Sequence, residues 1–337
     1  MTSAVATPPA DPSAPPKFAA DIGGTWVRLR AGGADAPIER FRSPSRLNHP
    51  DRSVEDLRED MAELLCRAAP PGARTAISFG AAIDHLTGTV YGSAPLWGAE
   101  ALPYDLGGEL RRRRPDVEWV LVNDVTAALL DFAATRARSG TRRIGYLTIS
   151  SGIAMRVADL DRTRIAVDEW GLQGEIGHLP AMVGPRSRLV GLPCACGAPD
   201  HLASIASGPG IANVARRLGV IEATAAEEWL PSALDVRHPD AVRLLEFCVE
   251  PIAHMIRTLW CLDPHLDLLG LGGGVVEGLG SHYVTELRRQ LATATSYTDR
   301  GHSETWLDDR LVFCAPGRVD ALRGAERLGD WAQGIMP

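Results

Sequence analysis

The chain has 337 residues, 45% of them hydrophobic and 23% charged, with a formal net charge of −7. At about 100–200 residues per domain this makes two domains or one large two-lobed unit, able to bury roughly 75% of its unfolded surface without disulfides. The acidic balance argues against nucleic acid as a partner, because phosphate contacts need clustered Lys and Arg. No run of 18 apolar residues is present to span a membrane.

Lys17 is the only lysine. This argues against Schiff-base chemistry, a P-loop lysine and a protein-kinase β3 lysine. A chain of this composition that handles a nucleoside triphosphate must use backbone amides, hydroxyls and a metal ion. Cys66, Cys248, Cys261 and Cys314 stand apart in apolar surroundings, the pattern of a reduced, cytoplasmic protein. Arg111 to Arg114 form the one dense basic run and read as a solvated helix end.

Residues Met1 to Pro16 are rich in proline and read as a disordered tail without the apolar stretch of a signal peptide. Phe18 to Asp21 then predicts a strand, Gly23-Gly24 a tight turn, and Val27 to Ala31 a second strand. Ser53 to Ala68 carries apolar residues at helical spacing. Thr75 to Phe79 is a strand, Thr87-Gly88-Thr89 a turn, and Trp119 to Val122 a strand ending at Asn123-Asp124, with a helix over Thr126 to Ala134. Strands are expected at Ile144–Ile149, Ala154–Ala158 and Thr163–Val167. A long helix over Ala241–Leu262 should kink at Pro251. The strand Leu266–Leu271, a helix from about Leu279 to Leu291, the strand Leu311–Cys314 and a helix near Val319–Trp331 complete the chain. Two meander-plus-helix units predict two α/β lobes around a cleft. The first would span 18–140 and the second 141–337, with the last helix crossing back to the first.

Three clusters carry chemistry. Asp21-Ile22-Gly23-Gly24-Thr25 is either a simple hairpin turn or a phosphate loop. In the second reading its amides approach phosphate oxygens and its carboxylate holds Mg²⁺ through water. Asp124, after Asn123, is either a helix N-cap or a general base at the end of a strand. His178, Cys194, Cys196 and His201 are either a loop with two free thiols or a closed four-ligand set suited to structural zinc. The Cys-x-Cys spacing excludes the zinc deaminase signature, and His-Glu-x-x-His is absent.

Together these elements resemble the ROK family of sugar kinases, which includes bacterial glucokinases and N-acetylmannosamine kinases, within the hexokinase and actin-like ATPase superfamily. The resemblance rests on Asp21 to Thr25, Asn123-Asp124, Gly171-x-x-Gly-Glu-x-Gly-His178, Cys194-x-Cys196-Gly197, Ser207-Gly208-Pro209 and Gly272-Gly273-Gly274, from about Phe18 to the C-terminus. It implies an α/β, two-lobed actin-like ATPase (ribonuclease H-like) fold with the site in the cleft. It further implies ATP and Mg²⁺ as cofactors, Asp124 as general base toward a primary hydroxyl, and Asn123, Glu175 and His178 as sugar ligands. His178 would also hold the zinc. Asp21, Gly23, Gly24, Thr25, Ser150, Ser151 and Gly152 would line the phosphates, and Gly272, Gly273 and Gly274 would border the adenosine. The partner is then a small-molecule sugar or cyclitol, and the assembly a homodimer.

The chain departs from the family at informative places. The second phosphate loop, usually Gly-Thr-Gly-x-Gly-Gly-Gly, is Ser150-Ser151-Gly152-Ile153-Ala154-Met155-Arg156. His201 stands for the third zinc cysteine, Ala203 for the glutamate gripping the anomeric side of the sugar, and Leu96 for an asparagine. A carboxylate serving two hydroxyls is poorly replaced by a methyl group. The expected acceptor is therefore a modified ring from a natural-product pathway, either a C7-cyclitol such as a valiolone or an amino-hexose such as kanosamine. An ordinary glucokinase and a catalytically weak sugar sensor are the alternatives. A ROK transcription regulator needs a helix-turn-helix, for which the 17 residues before the first strand are too few and too rich in proline.

Overall fold

In the computed structural model, which describes residues 17–32, 35–98, 102–181, 188–220, 226–328 and 335–336, apolar alternation sets the first sheet. The expected tail lies outside the described residues. Strand β1 (Lys17–Ile22) turns into β2 (Trp26–Ala31) and β3 (Glu39–Arg42). Helix α1 (Val54–Ala68) follows, capped by the Ser53 side chain, which accepts from the Asp56 N–H, and burying Leu57, Met61 and Leu65. Then come β4 (Arg74–Phe79), the short β5 (Ala82–Ile83) and β6 (Thr89–Gly92), α2 (Ala94–Trp97), β7 (Tyr104–Asp105), α3 (Leu106–Arg113), β8 (Leu121–Asn123) and α4 (Asp124–Arg136). The main sheet has the order β3-β2-β1-β4-β8. Its first three strands pair antiparallel, while β4 and β8 add in parallel on the other side of β1.

The second half repeats the plan. It begins with β9 (Arg143–Ile149), β10 (Ile153–Asp159) and β11 (Ile165–Ala166). Helices α5 (Ala203–Ala206), α6 (Gly208–Leu218), α7 (Ala226–Asp235) and α8 (Pro239–Leu262) follow, then β12 (Leu266–Gly272), α9 (Gly274–Ala292), α10 (Glu304–Arg310), β13 (Leu311–Phe313), α11 (Ala321–Glu326) and β14 (Ile335–Met336). Strands β10-β9-β12-β13 form the second sheet, antiparallel at β10–β9 and parallel elsewhere. The third strand expected in this meander, β11, pairs with β14 instead.

Helix α8 is continuous through Pro251, beside which Val249, Ile252 and Ala253 are fully buried. Some expectations are corrected. Helix α9 is interrupted at Gly280 with φ 52° and ψ −126°, a conformation that glycine adopts without a Cβ clash. Cys261 is exposed, while Cys248 and Cys314 are buried. The basic run ends α3 as expected, yet it is paired: Arg113 meets Glu59 and Glu109, and Arg114 meets Asp116.

Helix α4 lies between the two sheets. A Cβ on Gly270 of β12 would stand 2.6 Å from the Phe132 ring, and one on Gly324 of α11 would overlap the Ala127 carbonyl. The C-terminal helix therefore returns to the first sheet, where Arg28 of β2 binds Asp320 (2.6 Å) and Arg30 binds Glu326 (2.7 Å). Gly324→Ala should lower stability by about 1–3 kcal/mol, since a backbone atom and not a flexible side chain blocks the added methyl. Gly278→Ala in α9, which meets nothing within 4 Å, should be neutral or stabilising. Urea denaturation of both variants checks the contrast.

Candidate active site

The end of β8 settles which residue caps α4. Asn123 Oδ1 accepts from the Val125 N–H (2.9 Å) and the Thr126 N–H (3.4 Å), while Nδ2 donates to the Ala81 carbonyl (2.8 Å). Asn123 is thus the N-cap, with one amide hydrogen left over. Asp124 becomes the first residue of the helix and is released from the capping role. Its carboxylate lies beside Gly80, a residue that the sequence reading did not single out. A Cβ there would stand 3.6 Å from both Asp124 Oδ2 and the Gly23 Cα. The available signal was a glycine directly after an apolar strand, which marks close backbone approach.

Burial, then the neighbouring charge of Asp21, pushes the Asp124 carboxyl up to about 7, and Glu175 adds to this. Arg156 and the Val125 N–H pull in the other direction. A carboxyl titrating there is matched to proton transfer near neutral pH. On β9, burial pushes the Tyr146 phenol up, and nearby acidic groups, Asp124 among them, add to the shift.

Asp21, at the end of β1, is firmly held. Ser78 donates to Oδ1 (2.8 Å), while Arg28 Nε and Nη2 donate to Oδ2 (3.0 and 2.7 Å). One lone pair of Oδ1 remains, which fits a water carried by Mg²⁺ but not a demanding direct ligand set. In the adjoining turn, the Gly24 carbonyl accepts from Ser45 (2.5 Å) and the Thr25 carbonyl from Asn48 (2.9 Å). Gly23 N–H is bound to the Trp26 carbonyl (3.0 Å), so Gly24 and Thr25 keep the amides available to an anion. A Cβ on Gly24 would come within 2.6 Å of Pro95, which makes glycine obligatory. Leu96 and Trp97 both turn into the core, so no polar group replaces the family's asparagine there.

The loop before His178 is pinned to β10 by glycine contacts. Gly174, at φ +63°, would drive a Cβ into the Met155 carbonyl, and Gly177 would drive one into the Ile153 carbonyl. This places Glu175 against Arg156, whose Nη2 donates to Oε1 at 2.8 Å. At its other end the loop reaches the small three-stranded sheet β5-β6-β7 of the first half. Gly171 abuts Asp84, and Trp170 meets Tyr91 edge-on with centroids 6.0 Å apart.

His178, Cys194, Cys196 and His201 come together as the spacing predicted, with ligand atoms all within 4.8 Å of one another. Nδ1 of His178 lies 3.9 Å from Cys194 Sγ, and Nδ1 of His201 lies 3.2 Å from Cys196 Sγ. A tetrahedral zinc with ordinary Zn–S and Zn–N bonds needs ligand separations of roughly 3.3–3.8 Å, so the set fits after small side-chain adjustment.

Ser150, Ser151 and Gly274 line a separate cleft of about 490 Å³ with Gly208, Pro209 and apolar residues from α6, α7 and α9. That size suits a nucleoside. Gly208 N–H donates to the Ser150 carbonyl (2.8 Å), which ties α6 to the loop that joins β9 to β10. Gly272 and Gly273 shape this region rather than line it. A Cβ on Gly272 would collide with the Tyr146 hydroxyl, and one on Gly273 (φ +96°) would stand 2.6 Å from the Ile149 carbonyl. Gly152 sits in the same turn, its carbonyl accepting from the Ser150 N–H (2.8 Å).

The order of the two main sheets and the helix packed between them define an α/β fold, that of the actin-like ATPases. The ROK family model matches residues 17–305, and the chain belongs to the ROK family. It is 40% identical to a 2-epi-5-epi-valiolone 7-kinase of an Actinoplanes species, over 96% of this chain and 94% of that one. It is 31% identical to a C(7)-cyclitol 7-kinase of Streptomyces hygroscopicus, over 61% of this chain and 59% of that one. Among solved structures, a ROK family glucokinase from Streptomyces griseus in complex with glucose and AMPPNP matches with a TM-score of 0.64. That match has 19% identity and covers 93% of this chain and 98% of the other.

The raised carboxyl has a consequence for stability. The folded state binds the Asp124 proton more tightly than the unfolded chain does, so ionising it costs stability as pH climbs from about 4 to about 7. Asp124→Asn should therefore raise the melting temperature at pH 8 by at least about 2 °C and leave it little changed at pH 4. Melting curves at the two pH values test this, and equal shifts at both would disprove it.

Proposed function

We propose that this chain is an ATP-dependent C7-cyclitol kinase that phosphorylates the primary C7 hydroxyl of a valiolone-type ring. The observation that carries the reading is the 40% identity, over nearly the whole of both chains, to a 2-epi-5-epi-valiolone 7-kinase. The altered acceptor side agrees with it. Ala203, at the start of α5, brings no carboxylate, and Leu96 is buried, so two groups that would serve a plain glucose ring are missing. On the amino-hexose side, an N-acetylmannosamine kinase of Citrobacter koseri is 29% identical, over 82% of this chain and 88% of that one, a weaker likeness.

In this reading the lobes, divided near residue 140, close over the acceptor. Asp124 takes the proton of the C7 hydroxyl while its oxygen forms a bond to the γ-phosphorus of ATP. The bond from that phosphorus to the β–γ bridging oxygen breaks, and ADP leaves with the electron pair. Asn123, Glu175 and His178 hold ring hydroxyls. The amides of Gly24 and Thr25 and the hydroxyls of Ser150 and Ser151 meet phosphate oxygens without lysine. Asp21 would hold Mg²⁺ through water, and the ion would neutralise charge on the phosphates. His178, Cys194, Cys196 and His201 would hold a structural zinc, which would fix the loop presenting Glu175. The same reading takes the chain as a homodimer, which sedimentation measures.

Coupled ADP-release assays against 2-epi-5-epi-valiolone, kanosamine and glucose test the acceptor. The cyclitol should give a kcat/KM at least tenfold above either hexose, and a preference for glucose would overturn the assignment. Asp124→Asn should retain cyclitol binding by calorimetry while losing roughly 10²–10⁴-fold in kcat. For the metal, elemental analysis of protein purified without chelator should find about one zinc per chain. Its removal should lower the melting temperature, because ligand geometry is coupled to folding of the loop. Protein with no bound metal would remove the zinc from the reading and leave the kinase in place.

A further inference from the structure

A charged side chain in the middle of a core strand needs a reason, because burying a guanidinium is costly unless each face of it is partnered. Arg156 lies within β10 at 1% exposure, among the largest fully buried side chains. Its partners all serve one loop or its anchor. Nη1 donates to the Met155 carbonyl (2.9 Å) and to the Gln173 carbonyl, and Nη2 donates to Glu175 Oε1 (2.8 Å). The loop that carries Glu175 is thus gripped from two directions, by the backbone approach at Gly174 and by this side chain from beneath.

The grip has an electrostatic and a geometric effect. Asp21, Asp124 and Glu175 gather three carboxylates in one site, and Glu175 and Arg156 act on Asp124 with opposite signs. Without Arg156, Glu175 would face another carboxylate with no counter-charge and would be pushed away from it. Geometrically, Nη2 occupies Oε1 and leaves Oε2 as the acceptor still to be filled, on a side chain that keeps 32% exposure. A carboxylate held at one oxygen by a planar, buried fork has one direction in which to receive a hydroxyl.

We propose that Arg156 is a positioning residue that fixes Glu175 so that its second oxygen accepts a ring hydroxyl of the acceptor, making acceptor affinity depend on an arginine that never touches the ring. This rests on the kinase reading above, with Glu175 in the acceptor site. A ring lacking that hydroxyl leaves the carboxylate satisfied on one side only and binds more weakly.

The test is a double-mutant cycle on the acceptor KM. Arg156→Lys keeps the charge and loses the fork, and it should raise the cyclitol KM about tenfold or more while the ATP KM stays within about twofold. Glu175→Gln should raise the cyclitol KM comparably, and adding Arg156→Lys to it should cost little further. Arg156→Gln, neutral but still a donor, is measured in the same way should the lysine variant melt early. Independent, additive losses in the double variant, or equal changes in both KM values, would overturn the positioning role and leave the kinase reading standing. An unchanged cyclitol KM in Glu175→Gln would instead remove Glu175 from the acceptor site, and the inference with it.

Discussion

Helix α4 cannot shift against either neighbour without closing a gap that only glycine leaves open. On one side the Phe132 ring fills the space above Gly270, and on the other the Ala127 carbonyl sits where a Cβ of Gly324 would be. Both contacts exclude a side chain altogether, so they fix distance as well as orientation. Between them Asp131, fully buried, accepts from the Asp320 N–H (2.9 Å) and from Arg323 Nη2 (2.9 Å). A buried carboxylate without such donors would be strongly destabilising. The helix that carries Asp124 at its first residue is thereby locked to β12 below and α11 beside it. Arg28 extends the lock by joining Asp21 of β1 to Asp320 at the start of α11. The two carboxylates nearest the Gly23–Gly24 turn thus take their positions from a helix near the far end of the chain.

The same arrangement explains how a site almost without lysine can hold so much negative charge. Arg28 and Arg156 are the guanidiniums among Asp21, Asp124 and Glu175, and each is committed to a carboxylate. Neither is spare. Additional positive charge for triphosphate must then come with the nucleotide as metal, and from the amide N–H groups of the glycine turns. That division leaves Asp124 as the carboxylate without a guanidinium bonded to it, with one contact to the Val125 N–H (2.9 Å). Burial and like charge raise it to about 7. A helix N-terminus supports its ionised form, so the group sits close to balance rather than being driven fully to either state.

Local signals in the sequence were strong where one chain segment decides the outcome. The β1–turn–β2 hairpin, the Ser53 cap and the apolar face of α1 follow from neighbouring residues alone. The His178, Cys194, Cys196 and His201 set was also legible, since donor chemistry and spacing carry most of it. What escaped depends on distant partners. Asn123 and Asp124 are both favoured caps, and the choice between them is made by Ala81, which takes the Asn123 amide from the bend between β4 and β5. Strand β3 pairs on one side only and carries Arg40 and Arg42 stacked on Trp26, so its composition reads as a loop. Pro251 sits inside a helix that stays continuous, whereas the interruption of α9 at Gly280 gave no warning. Arg156 interrupts an apolar strand, and only the carbonyls of Met155 and Gln173 with the Glu175 carboxylate make its burial tolerable.

The loop from Trp170 to His178 joins these levels. At one end Trp170 and Gly171 touch Tyr91 and Asp84 at the β5-β6-β7 sheet. In the middle Gly174 and Gly177 lie flat on β10, and at the far end His178 enters the cysteine–histidine cluster. Three anchors of different chemistry, aromatic, backbone and metal-ligand type, therefore hold a segment of nine residues with Glu175 near its centre. Separating β10 from Tyr91 would break the first anchor while leaving the other two intact, so Glu175 would stay with β10. Under the proposed function, an acceptor held by Glu175 would then meet Asp124 only with the Trp170–Tyr91 contact made, and water entering an open cleft would not meet both groups together with the phosphoryl donor.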